Sequence, residues 1–102
     1  MTRTIALAAL ILVAAQASAF ATAQHLKTIG EQCAVQLKLP PTACACISSA
    51  AGEQLSDTQQ AFMVAQITKD KAAMASLQSS MTVGEMTVVG NFMTSIVGQC
   101  QR

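Results

Sequence analysis

Four cysteines, Cys33, Cys44, Cys46 and Cys100, are the most chemically capable side chains of this 102-residue chain. A free thiolate is a nucleophile and a soft metal ligand, whereas a paired thiol is a cross-link. Cys44-x-Cys46 is the tightest grouping. With Met63, Met74, Met81, Met86 and Met93 it offers thiolates and thioethers, the ligand set that selects cuprous copper. If Cys33 and Cys100 paired with each other, Cys44 and Cys46 would instead be left to cycle between dithiol and disulfide. Against both uses, the methionines fall at helical spacing with Ile67, Leu77, Val89 and Ile96, the pattern of flexible packing residues in a core. Soft-metal binding or thiol–disulfide exchange at Cys44 and Cys46 is therefore the alternative reading, and no cofactor is expected.

The other reactive groups are sparse. His25 is the single histidine, so neither a histidine-based triad nor a zinc site of ordinary ligands can be assembled. Glu31, Glu53, Asp57, Asp70 and Glu85 are scattered, without the paired acids that acid–base catalysis needs. Asp57 and Glu85 fall where first helical turns are expected, and there a negative charge complements exposed amides. The chain has no phosphate-binding loop and no nucleophile elbow. Catalysis is not expected.

An even number of cysteines in a short exported chain reads as a disulfide framework. Small domains bury little apolar surface, and cross-links compensate. A Cys44–Cys46 bond would close a strained ring, so each member of that pair is expected to reach a different partner, Cys33 or Cys100. On a helix two residues turn about 200°, which sends the two thiols to different sides. A hairpin turning at Pro40-Pro41 would bring Cys33 level with residues near 47. That favours Cys33–Cys46 with Cys44–Cys100 by a small margin over Cys33–Cys44 with Cys46–Cys100.

Export is written at the N-terminus. Arg3 precedes an apolar run from Ile5 to Ala15, and Ala17-Ser18-Ala19 supplies small residues before a cut. These are the three parts of a secretory signal, with cleavage between Ala19 and Phe20 and a second candidate between Ala23 and Gln24. The run is too short to span a bilayer, which takes roughly 20 residues. The expected organisation is a signal peptide over 1–19 and one domain over 20–102, in a periplasmic or secreted protein.

Helical spacing organises that domain. Leu26, Ile29, Cys33 and Leu37 predict a first helix from about Gln24 to Lys38, ended by Pro40-Pro41. Thr42 would cap a second, from about Ala43 to Gln54, with Cys44, Ile47 and Ala51 as its stripe and Gly52 weakening its end. Ser56-Asp57-Thr58-Gln59 and Thr82-Val83-Gly84-Glu85 are capping boxes. The first opens a helix toward Ile67 and the second one toward Gln99. Met63, Ile67, Met74, Leu77 and Met81 keep helical spacing across Lys69-Asp70-Lys71, so one long helix or a kinked pair fits residues 57–80. Leu55-Ser56-x-x-Gln59 and Met81-Thr82-x-x-Glu85 resemble each other 26 positions apart, as a duplicated unit or as shared capping chemistry. The predicted fold is all-α: a small bundle of four to five short helices stapled by two disulfides.

Beyond the leader, Lys27, Lys38, Lys69, Lys71 and Arg102 balance the five carboxylates, and Phe20, Phe62 and Phe92 are the only aromatics. A nucleic-acid surface needs clustered cations and often stacking rings, so that partner is excluded. No membrane span is expected after signal removal. By elimination the sequence points to a non-enzymatic binding or structural module. Its Met- and Ala-rich helix faces suit a protein, a peptide or an apolar ligand.

Overall fold

The computed structural model describes residues 22–102. The signal segment and the expected Ala19/Phe20 cut lie outside the described residues. Among the described residues the fold is all-α, with five helices, two disulfides and no strand. No helix there is long and apolar enough to cross a membrane.

Helix α1 covers 22–32 and continues as a π-helix over Cys33–Leu37. Lys38, in the left-handed region at φ 54°, ends it. Helix α2 follows over Pro41–Gln54. Thr42 does not cap it. Pro40 is the N-cap, extended at ψ 158° and without a side-chain acceptor, and Pro41 is the first helical residue. Proline suits that position, because its fixed φ is already helical and its missing N–H would have had no intrahelical partner. The α1–α2 turn is thus Lys38-Leu39-Pro40, one to two residues earlier than a turn on both prolines.

Ser48 Oγ donates to the Leu26 carbonyl at 2.8 Å, tying α2 back to α1. Gly52 has a positive role in this contact. A Cβ there would stand 3.0 Å from Leu26 Cδ1, so its absence lets Leu26 lie against α2.

Helix α3 (Asp57–Thr68) opens on the expected box: Ser56 Oγ accepts from Gln59 N–H and Gln59 Oε1 accepts from Ser56 N–H. Buried Gln60 donates to the carbonyls of Leu55, at 3.0 Å, and Ala51, at 3.5 Å, which finishes α2. The kinked pair is the observed form of 57–80. Lys69 takes φ 59°, Lys69 N–H reaches Gln66 O, and Asp70 N–H reaches Ala65 O. That is a Schellman ending, in which a left-handed residue turns the chain back onto the last carbonyls. Asp70 then caps helix α4 (Lys71–Gln78), accepting from Ala73 N–H at 3.1 Å. Helix α5 (Val83–Cys100) opens on the Thr82–Glu85 box.

The core lies where α1, α2, α3 and α5 meet. Ile29 and Val89 are its largest fully buried side chains, with Ile47, Phe62, Met63 and Ile96 around them. Met81 is buried and Met74, Met86 and Met93 pack partly against this cluster, the expected placing of the methionines in the core.

Candidate functional site

Cys33 pairs with Cys44 and Cys46 with Cys100, each with Cα atoms 5.6 Å apart. This corrects the favoured Cys33–Cys46 and Cys44–Cys100 pairing. The reason is the earlier turn. With the hairpin centred near Lys38-Leu39, Cys44 in the first turn of α2 stands opposite Cys33. Both are buried, at 5% and 3% exposure. Cys46 leaves the other side of α2, where it is exposed and meets the end of α5. Cys44 and Cys46 therefore point to different partners, and neither presents a thiolate while these bonds stand. Among the described residues, no three His, Cys, Asp or Glu side chains gather where they could hold a metal ion.

His25 of α1 lies beside the start of α3. Its Nδ1 lies 3.1 Å from Asp57 Oδ1 without hydrogen-bonding alignment, and Thr22 Oγ1 donates to the same oxygen at 3.2 Å. The remaining carboxylates are dispersed. Glu31 faces Lys27 at 3.9 Å on the α1 surface, and Glu85 is used in its capping box.

The structure instead reveals an apolar cleft of about 250 Å³ between α1, α3 and α5. Ile29 and Cys33 of α1, with Ile47 of α2, meet Met63 and Ile67 of α3 across it. Met93, Ile96 and Val97 of α5 close the third side. Gln32 and Gln36 are the polar residues that line it, with Gln36 Nε2 donating to Gln32 Oε1 at 3.5 Å. Leu37 completes the lining and is 49% exposed, and its neighbour Val35 is 65% exposed. The α1 stripe thus runs past the helices that cover it, leaving its last turn bare. Cys33, itself in the lining, is bonded to Cys44 and so fixes α1 against α2.

Apart from Val97, the apolar members of this lining were legible as stripe residues. Gln32, Gln36 and the cleft itself were not, because a stripe shows which residues face inward and not whether the facing helices touch.

What the fold and disulfides define is a small cross-linked helical protein with an apolar cleft. No protein-family model matches the chain, and neither the curated proteins nor the solved structures give a match.

Proposed function

We propose that this is an exported, non-enzymatic binding module whose cleft holds a slim apolar ligand. The observation that carries the reading is the cleft, about 250 Å³ and lined almost wholly by aliphatic and thioether side chains. An apolar void of about 150 Å³ already admits a benzene-sized guest. Met63 and Met93 in the wall can repack around guests of different shape. The two disulfides fit an oxidising compartment, in keeping with the signal over 1–19. Cleavage before Phe20 would retain Thr22 and its bond to Asp57, whereas a cut before Gln24 would remove both.

The test is titration of the oxidised protein with a neutral alkanol such as decanol. Saturable binding at one site is expected, weakened by Val97→Phe, which partly fills the cleft, and unaffected by Val88→Ser on the exposed side of α5. Absence of binding, or equal binding by Val97→Phe, would reject the cleft as the site. Intact mass of the secreted protein reads the cut and the loss of four hydrogens expected for two disulfides.

A further inference from the structure

We propose that the ligand is a monocarboxylate with one unbranched alkyl chain, a free fatty acid taken from solution, its head held by Lys38 and Lys69. The inference rests on the cleft being an apolar binding site and names the chemistry of its mouth.

Leu37 and Ile67 line the cleft from the ends of α1 and α3. Each of those helices stops on a lysine. Lys38 follows Leu37 directly, with adjacent Cα atoms about 3.8 Å apart, and Lys69 comes two residues after Ile67. Both lysines adopt left-handed φ, 54° and 59°, and among the described residues no other non-glycine does so. A Cβ is crowded in that conformation, and glycine is the usual occupant of such helix ends. Stability alone would place glycine at both positions. What lysine adds is a cation on a long flexible stem, and it is added at both helix ends beside one cleft.

Both lysines are exposed, and the ion contacts among the described residues leave them unpaired: those contacts are His25–Asp57 and Lys27–Glu31. The nearby carboxylates are engaged elsewhere. Glu31, beside Gln32, faces Lys27, and Asp70 accepts from Ala73 N–H. No acid lines the cleft. The carbonyl ends of α1 and α3 carry partial negative charge, so without the lysines this mouth would repel a carboxylate. The flexible stems of Lys38 and Lys69, rooted one and two residues from the lining residues Leu37 and Ile67, can bring two cations to the apolar cleft beside Gln32 and Gln36. At about 30 Å³ for each water-sized unit of chain, the cleft takes roughly eight carbons.

The experiment compares decanoate with methyl decanoate, by calorimetry on the oxidised protein at low and high salt, and repeats it with the Lys38→Gln/Lys69→Gln double variant. Decanoate is expected to bind about tenfold tighter than its ester, as charge-assisted hydrogen bonds to a head group allow. High salt should shrink that ratio toward one, and so should the double variant, with the affinity for the ester unchanged. Equal affinity for acid and ester, or a preference that survives both salt and substitution, would overturn the proposal while leaving the apolar cleft standing. Capture of anionic phospholipid vesicles in place of decanoate would overturn it in favour of a membrane. If neither decanoate nor its ester binds, the cleft reading itself fails, and the proposal with it.

Discussion

Gln59 Nε2 donates to the backbone carbonyl of Glu85 at 3.2 Å. The same side chain uses Oε1 to accept from Ser56 N–H at 2.9 Å. One buried amide therefore completes the capping box of α3 and grips the first turn of α5, whose own box is built by Thr82 and Glu85. The two similar segments 26 positions apart are neighbours in space, joined through the residue that closes the first of them.

Gln59 is consequently expected to matter more than an ordinary capping residue. Gln59→Ala loses a cap and a tertiary hydrogen bond and should cost about 2 kcal/mol. Glu85→Ala loses a cap alone and should cost about 1 kcal/mol. Gln59→Glu can still accept from Ser56 N–H but sets a carboxylate against the Glu85 carbonyl, so it should be at least as harmful as Gln59→Ala. Urea unfolding curves rank the three. A Gln59→Glu protein as stable as wild type would show that the bond to Glu85 contributes nothing.

The two disulfides should separate under mild reduction. Cys33 and Cys44 are buried, whereas Cys46 is exposed and Cys100 half-buried. A small thiol reductant reaches Cys46–Cys100 first. Partial reduction followed by alkylation and peptide mass spectrometry should therefore label Cys46 and Cys100 while Cys33 and Cys44 stay protected. Cys46–Cys100 also spans 54 residues, against 11 for Cys33–Cys44. In the chain-entropy account, removing it by Cys46→Ser/Cys100→Ser costs about 4 kcal/mol, against about 3 kcal/mol for the shorter loop.

Glycine at either left-handed lysine should stabilise the protein. The penalty for a Cβ in that region is roughly 1–2 kcal/mol, and glycine removes it at some entropic cost in the unfolded chain. Lys69→Gly is the cleaner case, since the surrounding Schellman bonds of Lys69 and Asp70 are backbone groups and survive the change. A gain of about 0.5–1 kcal/mol is expected in thermal unfolding, together with a smaller preference for decanoate over its ester, because Lys38 remains. A stability loss would mean that the Lys69 side chain supports the α3–α4 junction directly.

These residues also mark where the sequence was readable. Both capping boxes were visible, because they depend on residue types three apart and on nothing distant. So were the buried stripes of α2 and α5. The α3–α4 break was visible only as two options. Its cause is a left-handed Lys69 where a glycine would have announced the turn, and Met63, Ile67, Met74 and Leu77 hold helical spacing straight across it. The disulfide pairing was missed by a shift of one to two residues, since Pro41 reads as a breaker yet sits inside α2 as its first residue. The cleft was not readable at all, because it depends on how closely α1, α3 and α5 approach one another.

The size of the cleft fixes how affinity should grow with ligand length. Each methylene moved from water into an apolar site contributes about 0.8 kcal/mol, so two carbons should raise affinity by about tenfold. A series of neutral alkanols from hexanol upward should climb at that slope and then level off. Levelling is expected near eight buried carbons for a volume of about 250 Å³, because later carbons remain in water. Val97→Phe should stop the climb earlier, at reduced affinity throughout. Ile67→Ala, at a half-buried wall position, should move the plateau to longer chains while costing about 2 kcal/mol of stability. Opposite shifts from these two variants would tie the plateau to the walls of this cleft. A series that rises without limit, or variants that leave the plateau in place, would instead point to adsorption on exposed apolar surface such as Val83 and Val88.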